Sequence, residues 1–90
     1  MDTVYIATIE HKHGVNTYVS ETYMLAFAEV VQYAREYWED IEYDGKPATP
    51  DGLSDDEIVR MYFEGEVYGD EFYAIEGYPV IRAKVGESVA

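Results

Sequence analysis

The residues in this sequence that could do chemistry are mainly carboxylates, and they are concentrated in one half of the chain. Fourteen of the nineteen aspartates and glutamates lie between Glu36 and Glu76, where only Lys46 and Arg60 are basic. Like charges three or four residues apart on a helix repel by about 0.2–0.5 kcal/mol per pair. Such a row lowers stability, so its presence indicates either a use in binding or an acidic surface that only confers solubility.

One binding use is imitation of nucleic acid. A duplex presents about one negative charge per 1.7 Å of its axis to the basic proteins that bind it. Carboxylates on helices and loops can take the place of phosphates, and exposed tyrosines between them can act as hydrogen-bonding anchors. We predict that the partner-binding carboxylates are Glu36, Glu39, Asp40, Glu42, Asp44, Asp55, Asp56, Glu57 and Glu64, and that the anchors are Tyr33, Tyr37 and Tyr43.

A second acidic pattern, D-x-E-x-D-G-x5-D from Asp40 to Asp51, is close to the calcium loop of an EF-hand. The third position is Glu and the twelfth is the shorter Asp, which weakens a calcium cage, and Pro47 and Pro50 disturb its exit. An ordinary acidic turn is therefore favoured over a degenerate calcium site, and we predict no metal and no other cofactor. The ligands of the calcium alternative are Asp40, Glu42, Asp44 and Asp51.

Other chemistry finds little support in the sequence. His11 and His13 lie on one side of an extended chain and can share a metal, but two imidazoles do not make a site, so solvated loop histidines are favoured. The serines lack the sequence context of a nucleophile, there is no glycine-rich phosphate loop, and cysteine is absent. We therefore predict a protein that is not an enzyme.

Composition sets further limits on fold and partners. Ninety residues form one domain, 1–90, and 48% hydrophobic residues are enough for it to fold. A net charge of -13 disfavours direct binding to nucleic acid or to an anionic membrane and favours basic partners. No apolar run has the length of a membrane span, and no secretion signal is recognisable, so we expect a cytoplasmic protein.

The first elements that must position these carboxylates are a hairpin and a long helix. Val4 to His11 alternates and is rich in β-favouring residues, and Val15 to Val19 follows after a short turn with Gly14. Ser20 is a candidate N-cap for a helix of about five to six turns that begins at Glu21. Its predicted core-facing stripe is Met24, Phe27, Val31, Ala34, Trp38 and Ile41.

The second half of the chain predicts a loop, a short helix and a strand. Turn-forming residues fill Tyr43 to Leu53, and Ser54 with Glu57 forms a capping box that starts a helix ending near Gly65. Glu71 to Glu76 alternates as a strand, and Val80 to Val85 is either one more strand or a tail. The order β-β-α-α-β predicts an α+β fold, a small antiparallel sheet with helices packed on one face.

The chain as a whole resembles the anti-CRISPR and anti-restriction proteins of phages and mobile elements, several of which are DNA mimics. It shares their small size, single domain, lack of cysteine, acidity and richness in tyrosine. The opening Y-I-A-T-I-E-H-K-H-G-V, from Tyr5 to Val15, is similar to the start of small proteins from such elements. The resemblance implies an inhibitor in a bacterial host whose target is a basic DNA-binding channel of a defence complex.

Three alternatives remain open at this point. The inhibitor can act as a steric block rather than by mimicry, and the protein can instead be a protein-interaction module, with or without a degenerate calcium-binding loop. Ten tyrosines exceed what a small core absorbs, so some of them can also serve a homodimer interface.

Overall fold

The computed structural model describes residues 2–65 and 71–81, and it shows the α+β fold that the sequence predicts. A three-stranded antiparallel sheet has the order β2-β1-β3, with β1 in the centre. The elements in chain order are β1 (Thr3–His11), β2 (Gly14–Ser20), α1 (Tyr23–Glu36), a 3-10 helix (Trp38–Asp40), α2 (Asp55–Gly65) and β3 (Phe72–Pro79).

The predicted hairpin is confirmed. β1 and β2 pair from Tyr5 opposite Ser20 to His11 opposite Gly14, so Lys12 and His13 form a two-residue turn. Gly14 has a φ of 139°, a conformation that side chains disfavour, which explains a glycine at this position. The turn therefore fixes the register that sends alternate side chains of both strands to the same face.

The start of α1 differs from the prediction. The N-cap is Thr22 and not Ser20, since the Thr22 side chain accepts a hydrogen bond from the backbone N–H of Leu25 at 3.1 Å. Ser20 is still the last residue of β2 and pairs with Tyr5 of β1. Because the β-ladder holds Ser20 extended, the helix begins at Tyr23.

The end of α1 also differs from the prediction, because the helix ends at Glu36 and not near Ile41. The next residues tighten into the 3-10 helix, whose Trp38 indole N–H donates to the Pro47 carbonyl at 3.0 Å. The Lys46 ammonium donates to the carbonyls of Trp38 and Ile41 at 3.1 and 3.0 Å. The two Lys46 bonds satisfy carbonyls that a continuing helix would have used, so they explain the early end.

The buried stripe of α1 is Ala26, Val30, Val31, Tyr33 and Ala34. Met24 was predicted to face the core, but it is 70% exposed because it lies roughly 110° around the helix from the centre of this stripe. Phe27 is partly buried, while Trp38 and Ile41 are buried as predicted although they lie beyond α1. The buried residues of the predicted stripe therefore belong partly to α1 and partly to the 3-10 helix and the residue that follows it.

The capping box of α2 is confirmed. The Ser54 hydroxyl accepts from the Glu57 backbone N–H at 3.2 Å, and the Glu57 carboxylate accepts from the Ser54 backbone N–H at 3.1 Å. Ile58, Val59 and Tyr62 are buried, and Gly65 is the last helical residue, as predicted.

β3 is longer than predicted, because Gly77 and Pro79 continue the strand and do not end it. A Cβ on Gly77 would lie 3.1 Å from the Tyr5 ring, so the glycine allows close pairing with β1. Pro79 is the last residue of this edge strand, where a missing N–H is tolerated. The possible strand from Val80 to Val85 lies mostly outside the described residues.

Both helices lie on one face of the sheet. α1 contacts all three strands, and α2 packs on α1 and reaches the sheet where the rings of Phe63 and Tyr73 lie 4.9 Å apart. Ala7 and Ile9 of β1 are completely buried between the layers. The opposite face, here called the outer sheet face, carries Val4, Ile6, Thr8, Glu10, Val15, Thr17, Val19, Phe72, Ala74, Glu76 and Tyr78.

Candidate functional site

The nine carboxylates predicted to bind a partner lie at the surface of the helical layer. Eight are exposed, and Glu57 is partly buried. We call these nine residues the acidic surface: Glu36, Glu39, Asp40, Glu42, Asp44, Asp55, Asp56, Glu57 and Glu64. Their charges reach solvent, which a surface that binds basic groups requires.

The acidic surface consists of two groups at opposite ends of α2. The first acidic group is Glu36, Glu39, Asp40, Glu42, Asp44 and Glu64, and the second acidic group is Asp55, Asp56 and Glu57. The Glu42 backbone N–H donates to the Gly65 carbonyl at 2.8 Å, so the first group meets the end of α2. Ten helical steps separate Gly65 from Asp55, which places the two groups about 15 Å apart along the helix.

Gly65 is the point at which the end of α2 contacts the loop of the first acidic group. A Cβ at this position would lie 2.9 Å from both the Glu42 carbonyl oxygen and the Tyr43 Cβ, closer than real contacts allow. The glycine therefore lets the end of α2 touch the loop that carries Glu42 and Asp44. This contact holds the first acidic group at a set distance from the second.

The lysine among these acids is used inside the protein. Besides its two bonds to backbone carbonyls, the Lys46 ammonium lies 5.8 Å from the centre of the Trp38 ring. Its charge faces the end of the 3-10 helix, where carbonyl dipoles favour a cation. Lys46 therefore stabilises the loop and has few donors left for neighbouring carboxylates.

Two arginines of this region act on neighbouring acids. Arg35 approaches Asp51 at 3.4 Å, and both side chains are exposed, so the pair contributes little stability. Arg60 acts on Glu57, but hydrogen bonds from the Ser54 backbone and hydroxyl have the larger effect in lowering the pKa of the Glu57 carboxyl. Glu57 is therefore held charged at the start of α2, where the helix dipole also favours an anion.

The three predicted tyrosine anchors differ in exposure. Tyr37 is 41% exposed and Tyr43 is partly buried beside Gly65, so both border the first acidic group. The prediction for Tyr33 is wrong, because its side chain is only 7% exposed. Its ring packs between α1, α2 and β1, against Tyr37, Tyr62, Phe63 and His11.

Sequence reasoning missed a cluster of two tyrosines on one carboxylate. The hydroxyls of Tyr33 and Tyr62 both donate to Oε1 of Glu71, at 2.6 and 2.9 Å. Burial, and then the hydrogen bond to Glu71, raise the pKa of both phenols. The cluster ties both helices to the residue before β3. No sequence signal identifies it, since Glu71 lies 38 residues from Tyr33.

A shallow groove of about 820 Å³ runs along the loop from Ile41 to Lys46. Glu42 and Asp44 line it, and both are exposed. An extended basic side chain of a partner can lie in this groove and meet two carboxylates. The groove is therefore the candidate position within the first acidic group for a basic side chain of a partner.

The weaker predictions concern metal binding. Among residues 2–65 and 71–81, no three or more His, Asp or Glu side chains converge on a metal position, so Asp40, Glu42, Asp44 and Asp51 are not gathered into a cage. His11 Nδ1 accepts from the His13 backbone N–H at 3.2 Å, and His11 Nε2 lies 3.2 Å from the Asn16 side-chain oxygen. Both ring nitrogens of His11 are thus occupied within the hairpin.

None of the helices in the described part of the chain is long and apolar enough to span a membrane. No protein-family model matches the sequence, and searches of the curated proteins and of the solved structures found no match.

Proposed function

We propose that this protein is a non-enzymatic inhibitor that presents its acidic surface to a basic, nucleic-acid-binding protein of a bacterial defence system and occupies the place of nucleic acid. One observation carries the proposal: nine carboxylates reach the surface of the helical layer while Lys46, the lysine among them, is bonded to backbone carbonyls. Negative charge is therefore presented outward and is only partly neutralised within the layer, by Arg60 acting on Glu57. Such a target implies action in the cytoplasm of a bacterial host.

The spacing of the two acidic groups supports this proposal. Their separation of about 15 Å along α2 equals the rise of four to five base-pair steps along the axis of a duplex, at about 3.4 Å per step. A basic channel that binds several consecutive phosphates can therefore contact both groups at once. Glu42 and Asp44 in the groove offer a further position for a lysine or arginine of the channel.

The rigid frame also supports mimicry. Ordering long, flexible acidic side chains on binding costs free energy, and a preorganised surface lowers that cost. The Gly65–Glu42 contact and the Trp38–Pro47 bond hold the first acidic group, and the capping box holds the second, before a partner arrives. Electrostatic steering then raises the association rate, and added salt lowers this rate because it screens the charges.

The test is capture from bacterial lysate on immobilised protein at low salt, followed by elution with duplex DNA. We expect a nucleic-acid-binding protein to be released by DNA and by salt. The double variant Glu39→Lys with Asp44→Lys should lose this capture. Its matched control is Glu21→Lys with Glu29→Lys, which changes net charge equally at exposed residues outside the acidic surface and should retain it.

Two outcomes would contradict the proposal. If both double variants lose capture to the same degree, net charge and not the acidic surface is responsible. If the captured protein is released by salt but not by duplex DNA, the acidic surface does not compete with nucleic acid.

A further inference from the structure

The outer sheet face is an apolar surface that neither helix covers. Val15, Val19, Phe72 and Tyr78 are 54%, 66%, 56% and 45% exposed. The β-register arranges the eleven residues of this face in four rows across the sheet. From one end of the strands to the other, the rows are Val4 with Tyr78; Val19, Ile6 and Glu76; Thr17, Thr8 and Ala74; and Val15, Glu10 and Phe72. Exposed apolar patches on this scale are typical of interaction sites.

Charge on this face is sparse. Among the acids of residues 2–65 and 71–81, Glu10 and Glu76 belong to the strand residues of the outer sheet face, and Glu76 accepts a hydrogen bond from the Tyr78 hydroxyl. Two copies of a chain with net charge -13 repel each other through their helical layers. Two copies that meet through the outer sheet face therefore bring fewer carboxylates together than two copies that meet through their acidic surfaces.

We propose that the outer sheet face is a self-association surface on which two copies of this chain stack sheet against sheet. A strongly charged partner finds little complementary charge there beyond Glu10 and Glu76, whereas a second copy offers a mainly apolar face of the same shape and twist. Sheets that pack face to face align within about 30° and interdigitate their side chains about 10 Å apart. This association is separate from the proposed inhibition, which uses the opposite layer.

The arrangement of the rows favours copies whose strands run in opposite directions. A two-fold axis across the strands puts the Tyr78 end of one copy over the Phe72 end of the other, which pairs aromatic rings. It also puts Glu10 over Val4 of the second copy and not over a second Glu10. The contact is isologous and closes as a dimer.

The size of the face sets the strength of the association. Three strands about 4.8 Å apart and eight residues long at about 3.3 Å per residue cover a rectangle of roughly 380 Å². Side-chain relief enlarges the accessible area, but it stays below the ~800 Å² per partner of a standard interface. We therefore expect a reversible dimer with a dissociation constant of about micromolar or weaker, not an obligate one.

The experiment is sedimentation equilibrium of the full chain over a series of protein concentrations, at low and at high salt. We expect a monomer–dimer equilibrium that shifts toward the dimer as salt rises, because screening reduces repulsion between the two copies. Val19→Lys should weaken dimerisation about tenfold or more. Met24→Lys is the matched control, since it changes an equally exposed apolar residue on α1, and it should leave the dimer intact.

A second variant guards against loss of folding. Val15→Thr with Val19→Thr keeps β-branched side chains in β2 and should weaken the dimer while circular dichroism and melting temperature stay unchanged.

A monomer at every concentration overturns the proposal and leaves another partner, or a segment of the same chain, as the cover of this face. A dimer that persists in Val19→Lys, or that salt dissociates, also overturns it. None of these results depends on capture by the acidic surface, so failure of one proposal leaves the other standing.

Discussion

The two broad surfaces of this molecule share one frame and differ in charge. The helical layer carries the nine carboxylates of the acidic surface, whereas the outer sheet face carries two carboxylates among valine, isoleucine, threonine and aromatic side chains. The sheet between them is a single layer, so each strand contributes to the core and to the outer sheet face alternately. The net charge of -13 is therefore concentrated on the helical side of this protein and is sparse on the outer sheet face.

Two isoleucines of β1 lie on opposite faces of the sheet, and their substitution tests the difference in burial between these faces. Ile9 is fully buried under the helices, so Ile9→Ala should lower the free energy of unfolding by about 2–5 kcal/mol. Ile6 is on the outer sheet face and only partly buried, so Ile6→Ala should cost less than about 1 kcal/mol in dilute protein. Urea denaturation of both variants measures the difference. Equal losses would show that the outer sheet face is covered in the monomer.

The contact between the end of α2 and the loop of the first acidic group can be disrupted at Gly65. Gly65→Ala forces a Cβ against the Glu42 carbonyl and Tyr43, and it should cost about 1–3 kcal/mol of unfolding free energy. Glu64→Ala, one residue earlier and exposed, should change stability by less than about 0.5 kcal/mol. Thermal unfolding of the two variants tests this expectation. A neutral Gly65→Ala would mean that the end of α2 does not press on the loop.

Alkaline titration tests the Tyr33–Tyr62–Glu71 cluster. Both phenols have pKa values above the ordinary 10.0, so below about pH 9 they are protonated in the folded and unfolded states alike. As the pH rises through about 10, the unfolded chain releases protons that the folded protein keeps, so the free energy of unfolding falls. Tyr62→Phe should flatten this fall and cost about 1–2 kcal/mol at neutral pH.

Urea denaturation between about pH 8 and pH 11 provides the measurement for this titration. Tyr43→Phe is the control, because its hydroxyl lies outside the cluster, and it should keep the full alkaline loss. The interpretation fails if Tyr62→Phe and Tyr43→Phe show the same pH dependence.

The smallest expected effect is at the start of α2. Ser54→Ala removes one side of the capping box and should cost about 1 kcal/mol, while Ser54→Asp keeps an acceptor and should cost less. Melting temperatures of the two variants rank them. If Ser54→Ala leaves stability unchanged, the second acidic group is held by the packing of Ile58 and Tyr62 and not by its cap.

Short-range features of the fold could be predicted from the sequence. Alternation in β1 and β2, the glycine at the hairpin turn and the Ser54–Glu57 box each depend on residues close in the chain. The same holds for the exposure of the acidic carboxylates, since desolvating an unpaired charge is costly wherever the chain places it. The boundaries of α1 were less predictable, because the β-ladder at Ser20 and the Lys46 bonds beyond Glu36 compete with helical propensity.

Local patterns in the chain were enough to specify the element types, the acidic character of the helical layer and the alternation that leaves one sheet face apolar. Packing of the layers was needed to bury Tyr33, to bring both phenols to Glu71 and to bring α2 to Glu42 at Gly65. The two kinds of feature differ in how far apart along the chain the interacting residues lie. Periodicity and capping act over a few residues, whereas these contacts join residues 9 to 38 positions apart that meet only when the layers pack.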